Sequence, residues 1–168
     1  TFKLLQWHLC DEGDENKVRL DLLSDLGNGR EEIVRDVMTE DAPLRHNANR
    51  VSMYDYYTSY QAIVVSTGEG ASYLDINTLA TNESLDAKYQ FIAEPKDETV
   101  VLAQTHGYYV NDMITDKGNL YSRGYSYGSV FESPINTTTA YGSPEFEVAP
   151  FVGSVPGSVA GVYMIIYY

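Results

Sequence analysis

Residues Gly161 to Tyr168 read G-V-Y-M-I-I-Y-Y, a glycine followed by seven consecutive apolar, β-branched or aromatic residues. Such a run has no polar face to offer water, so it predicts a strand covered on both sides. A strand of this kind either takes a central place in its own sheet or is completed by a neighbouring chain. The approach to it, P-F-V-G-S-V-P-G-S-V-A-G from Pro150 to Gly161, has the glycine and proline punctuation of a loop free enough for either.

A buried strand needs others to bury it, and residues 51–168 supply them. Apolar or β-favouring runs occur at 51–67, 72–79, 87–93, 99–110, 119–131, 145–152 and 159–168. They are separated by G-E-G at 68–70, E-P-K-D-E at 94–98, D-K-G-N at 116–119 and S-P-I-N at 133–136, all turn chemistry. Many short strands with little helix between them predict a mainly β fold, a sandwich or a barrel. No repeat of fixed period is visible in the sequence.

Residues 1–50 have a different texture and read as an N-terminal arm on the 51–168 body, the whole making one compact domain. T-F-K-L-L-Q-W-H-L-C from Thr1 to Cys10 alternates as a strand does, and V-R-L-D-L-L from Val18 puts Val18, Leu20 and Leu22 on one face. The two segments predict a hairpin around the acidic run D-E-G-D-E-N at 11–16. That run lacks the spacing of a calcium loop and reads as a solvated turn. Asn28-Gly29 is a turn signal. Beyond it Ile33, Val34, Val37 and Met38 have the spacing of a short amphipathic helix, with Glu31 and Glu32 in its first turn and Pro43 closing it.

The formal charge of −13, from 24 acids against 11 bases, argues against direct binding of nucleic acid or of anionic membranes. No apolar run approaches the roughly 20 residues of a membrane span. Cys10 is the one cysteine, which excludes an internal disulfide framework and reads as a small buried hydrophobe. The chain opens on Thr1, so it is expected to be processed or incomplete.

Candidate chemistry is sparse. His8, His46 and His106 lie too far apart for a local metal motif, and neither a nucleophile elbow nor a phosphate loop is present. The expectation is therefore no catalytic residue, no metal and no cofactor. The tyrosines stand out: all 15 lie beyond Ser52. In N-L-Y-S-R-G-Y-S-Y-G from Asn119, residues Tyr121, Arg123, Tyr125 and Tyr127 alternate onto one face of an extended chain, and Tyr54, Tyr56, Tyr57 and Tyr60 form a second cluster. A ring with a polar tip suits a half-buried contact surface, and arginine stacks on it. The stripe therefore reads as a subunit interface, as a sugar-stacking platform, or as sheet filling with its hydroxyls at the rim. Asp55, Asp75, Asp112 and Asp116 are the carboxylates from which a glycosidase pair would have to come. Asn82-Glu-Ser84 and Asn136-Thr-Thr138 are glycosylation triplets, informative only in an exported protein or on a virion.

In its short strands, in connections such as S-P-I-N-T-T-T-A-Y-G-S-P from Ser133 to Pro144, and in its terminal apolar strand, the 51–168 region resembles viral single jelly-roll capsid proteins and capsid decoration proteins. The resemblance implies a jelly-roll-like β-sandwich that assembles in many copies and has no catalytic residues. With the residue-level reading it gives an expected mainly β sandwich with an N-terminal hairpin and one short helix. The expected function is that of a non-enzymatic structural protein of a virion shell or its surface, whose partners are copies of itself and other virion proteins. Tyr54, Tyr56, Tyr57, Tyr121, Arg123, Tyr125 and Tyr127 would make the interfaces. The alternative is an exported carbohydrate-binding module or small glycosidase at the cell surface, with Tyr121, Tyr125 and Tyr127 as platform, Asp112 or Asp116 nearby and a glycan as partner.

Overall fold

A computed structural model describes residues 5–12, 17–38, 46–56, 60–81, 86–106, 110–123, 130–137, 145–155 and 162–165. The protein is mainly β. Its strands are β1 (Leu5–Glu12), β2 (Lys17–Gly27), β3 (Arg30–Val34), β4 (Ala48–Tyr56), β5 (Tyr60–Thr67), β6 (Gly70–Asp75), β7 (Val100–His106), β8 (Val110–Thr115), β9 (Leu120–Arg123), β10 (Val152–Val155) and β11 (Val162–Ile165). Every ladder joins sequence neighbours antiparallel: β1-β2-β3, β4-β5-β6, β7-β8-β9 and β10-β11. The first three sheets are successive meanders, and no Greek-key crossover joins the described strands. No described helix is long and apolar enough to cross a membrane.

The meanders pack face to face. In the middle one, Ala62, Val64, Ala71 and Tyr73 meet Ala103, Met113 and Tyr121 of the third. The opposite face of the same strands carries Ile63, Val65 and Leu74, which meet Val18 and Leu20 of the first, with Trp7 and Leu9 alongside. Because alternate residues point to opposite faces, a strand covered on both sides must be apolar or small at every position. The segment A-I-V-V-S-T at 62–67 meets that demand and is buried throughout. The far face of the third meander, Leu102, Ile114 and Leu120, is closed by Val148. The first strands of the meanders adjoin in sequence order, β1 beside β4 and β4 beside β7.

The helix expected beyond Glu31 is not formed. Arg30–Val34 is strand β3, with Ile33 opposite Leu23 and Glu31 opposite Asp25 on β2. The cause is the turn before it, where Asn28 (φ 57) and Gly29 (φ 70) both take the left-handed conformation. That pairing matches the twist of a two-residue hairpin and sends the chain back as a strand. Of the four apolar residues in the expected helix, Val37 and Met38 still pack against the Val18–Leu20 core, aided by a bond from Val37 N–H to Leu20 O of 2.9 Å. Ile33 and Val34 are exposed.

Two other expectations are revised. The run at 87–93 begins as a 3-10 helix, Ala87–Gln90, before Phe91 bridges to Phe131. The terminal apolar run takes no central place in a larger sheet among the described strands: β11 pairs with β10 alone, Val152 opposite Ile165. Its partner, Val152–Val155, lies within the Pro150–Gly161 stretch expected to be a loop, and the short closure between the two strands favours that local pairing.

Candidate functional site

The third meander carries a polar network centred on Glu98, which lies just before β7. Thr115 Oγ1 donates to Glu98 Oε2 at 2.6 Å, Asn119 Nδ2 donates to the same oxygen at 2.8 Å, and Tyr121 OH donates to Oε1 at 3.0 Å. Thr115 closes β8, Asn119 ends the turn and Tyr121 lies on β9, so one carboxylate ties down a whole hairpin. Burial, reinforced by the hydrogen bond to Glu98 and its charge, pushes the Tyr121 phenol up to about 12.

Tyr121 is only 4% exposed. Its ring meets Phe91 edge-on at 5.0 Å, and Phe91 in turn lies 5.3 Å from Phe131. Arg123, two residues on and therefore on the same face, sets its guanidinium 4.8 Å from the Phe131 ring and donates from Nη2 to Gln90 Oε1 at 2.8 Å. The expected alternation of Tyr121 and Arg123 is thus seen, but it is directed inward. Tyr121 fills the chain's own core, and Arg123, half-buried, staples β9 to the 3-10 helix. Tyr125, Tyr127 and Tyr57 lie outside the described residues. Tyr54 and Tyr56 belong to β4, opposite Ala62 and Tyr60, with side chains outside the description.

A cavity of about 280 Å³ opens where the β5–β6 turn, the 3-10 helix and the 94–100 segment meet. Glu69, Asp86, Glu94 and Glu98 line it together with Lys88 and Phe91. Lys88 is turned onto the Tyr89 ring at 4.7 Å, and Glu69 is paired with His46 Nδ1 at 2.9 Å. A second hollow of about 350 Å³ lies beside the β8–β9 turn, between Thr115–Gly118 and Glu147–Pro150. Among the described residues no three His, Cys, Asp or Glu side chains converge as metal ligands.

Of the carboxylates considered for glycoside hydrolysis, two are engaged in bonds at the turns they occupy. Asp75 caps its own turn, accepting from Asn77 N, Thr78 N and Thr78 Oγ1, and these bonds hold its carboxyl below the usual range. Asp116, in the β8–β9 turn, accepts from Thr99 N at 2.9 Å. Asp112 is buried in β8 opposite Gln104 and Ser122. Asp112 lies within β8 and Asp116 in the turn that follows it, each on a different part of the hairpin. The Asp55 side chain lies outside the description.

Asn136, read from sequence as a glycosylation triplet, is a clamp. It is 3% exposed. Its amide nitrogen donates to Gly118 O at 2.8 Å and Phe146 O at 2.6 Å, while its Oδ1 accepts from Leu120 N at 2.8 Å. The atom that would carry a glycan is therefore closed off in the folded chain. Asn82 lies outside the described residues. The Glu98 and Asn136 networks had no local signal, since their partners lie 10 to 23 residues away.

No protein-family model matches this chain, nor does any curated protein or any solved structure.

Proposed function

We propose that the chain is a non-enzymatic structural protein that works by assembling with copies of itself and with other virion proteins, in a virion shell or on its surface. The observation that carries the assembly part is strand β3. It ends its sheet with all five residues, Arg30–Val34, exposed, Ile33 and Val34 among them. An exposed strand edge is a template for pairing. The virion setting rests on the resemblance of residues 51–168 to jelly-roll capsid and decoration proteins. As architecture, the face-to-face meanders support a sandwich; a jelly roll would need a crossover strand beyond the described ladders.

The polar groups of the third meander support a non-catalytic reading. Glu98, Tyr121 and Asn136 are each engaged in bonds that hold turns and strands together, and Asp75 of the middle meander is engaged in the same way in its own turn. The carbohydrate-binding alternative loses Tyr121 from its platform, because that ring is enclosed.

Size-exclusion chromatography with light scattering, run over a range of salt and protein concentrations, tests the proposal. Concentration-dependent oligomers or closed particles are expected. A strictly monomeric chain that binds oligosaccharide at millimolar or tighter affinity would refute it.

A further inference from the structure

We infer that β3 is a self-recognition strand, at which two copies of the chain pair antiparallel about a two-fold axis through Ile33. This rests on the assembly reading above and names the surface and the partner it requires. Sheet order leaves β3 with β2 on one side, and among the described residues no strand occupies the other. Its backbone is extended and its side chains are exposed from Arg30 to Val34, with Ile33 61% exposed.

The segment from Arg30 to Asp36 reads R-E-E-I-V-R-D, and this order selects one register. A two-fold axis through Ile33 sets Ile33 against itself, Glu32 against Val34, and Glu31 against Arg35 of the second copy, with Arg30 facing Asp36 beyond. The other nearby two-fold registers either oppose like charges within the strand or bring them together just past its end. An axis through Glu32 sets two glutamates face to face, and one between Glu31 and Glu32 does so twice. An axis between Glu32 and Ile33 opposes the Arg30 of one copy to Arg35 of the other. One between Ile33 and Val34 also sets Glu32 against Arg35 twice, but it carries Glu31 of each copy towards Asp36 of the other just past the strand end; one through Val34 carries Glu32 towards Asp36 and gains no ion pair. Like charges directly opposite destabilise a strand pair, and unlike charges stabilise it. Asp36, at φ 52, has already left the extended conformation, so the working ion pairs are the two symmetric Glu31–Arg35 contacts.

Two features of the isolated chain fit this occupant. Glu31 lies directly opposite Asp25 on β2, a like-charge pair, and Arg35 of a second copy would bring a cation beside both. Ile33 lies opposite Leu23 and therefore shares its face. Pairing through Ile33 would join Leu23 and Ile33 of both copies into one apolar stripe across a six-stranded sheet. The charges that normally keep an edge strand from sticking to foreign strands here admit the one partner that answers them.

Charge reversal and cross-linking test the proposal. Glu31→Arg and Arg35→Glu should each weaken self-association roughly tenfold, because two symmetric attractions become repulsions. The double swap should restore it. In a Cys10→Ser background, Ile33→Cys should give a disulfide-linked dimer under mild oxidation, whereas Glu32→Cys, offset from its own mate, should not. Both positions are exposed, and Trp7 fluorescence checks that each variant keeps its core. Oligomers that ignore the reversals, and that cross-link at Glu32→Cys as readily as at Ile33→Cys, overturn the β3 assignment and leave the assembly reading standing. A wild-type chain that stays monomeric at every concentration overturns both.

Discussion

The first and third meanders have the same three-strand plan and opposite treatments of their edges. In the third, the outer backbone of β7 is answered by side chains of the middle meander. Asn49 Nδ2 donates to Val101 O at 2.8 Å, Ser52 Oγ to Ala103 O at 3.2 Å, and Ala103 N donates to Ser66 Oγ at 3.1 Å. On the far side, Asn136 Oδ1 accepts from Leu120 N–H and Ile135 N–H donates to Leu120 O. The third meander is thus met by other parts of the chain at β7 and at Leu120 of β9, and on both faces. In the first, β3 meets solvent along its whole length. Buried backbone groups must be paired, while exposed ones are satisfied by water and stay available to a partner. One meander is built as interior and the other as boundary.

Truncating a comparable residue in each meander should separate the two most strongly. Ile114, fully buried among Leu102, Leu120 and Val148, should cost about 3 kcal/mol as Ile114→Ala, whereas Ile33→Ala on the open edge should stay within about 0.5 kcal/mol in the monomer. Urea denaturation followed by circular dichroism reads both. Equal costs would mean that β3 is covered within the chain.

Breaking the seal itself ranks next. Asn136→Ala takes the acceptor from buried Leu120 N–H and removes one donor each from Phe146 O and from Gly118 O, which keeps Val148 N–H, and should cost about 2–3 kcal/mol. Gly118→Ala attacks the same clamp from the backbone. Gly118 sits at φ +71, and an added Cβ would lie 2.9 Å from Glu147 Cβ and 3.0 Å from Val148 N. A cost of about 2 kcal/mol is expected. Thermal melts of the two variants check this. A double variant less destabilised than the sum of the singles would show that the two residues hold one clamp. On the other edge, Ser66→Ala strips a buried partner from Ala103 N–H and should cost about 1–2 kcal/mol in the same melts.

The turns were legible in the sequence because each carries its own chemistry: Asn28-Gly29, G-E-G at 68–70 and D-K-G-N at 116–119 all join paired strands. The middle meander was legible as well, since the unbroken run through Ala62–Thr67 signals cover on both faces. The β3 segment was not, because apolar residues at 33, 34, 37 and 38 suit a helix face as well as a short strand followed by a bend. The turn before them decides between the two. The terminal run signalled a strand, and only the fold shows that its partner is β10. What sealed β7 and β9 was hidden for a plainer reason. Asn49, Ser52 and Asn136 act on backbone that lies 10 to 52 residues away, and a single polar side chain gives no local pattern of such a contact.

The smallest expected effect is a difference in alkaline stability, and it separates the two meanders by composition. All 15 tyrosines lie beyond Ser52, so the first meander has none to titrate. In the third, burial and the bond to Glu98 hold the Tyr121 proton to about 12, against an ordinary value of 10.0. A raised folded pKa favours the protonated, folded state. The stability tied to this proton is therefore complete below pH 10 and declines as pH rises from 10 through about 12. Tyr121→Phe removes that dependence. It also leaves one oxygen of Glu98 with a donor fewer, at about 1 kcal/mol near neutral pH. Urea midpoints measured across the alkaline range should fall more steeply for the wild type than for Tyr121→Phe, because the other tyrosines titrate in both. Parallel curves would mean that Tyr121 ionises as freely in the folded chain as in the unfolded one, and that the third meander is less sealed at β9 than at β7.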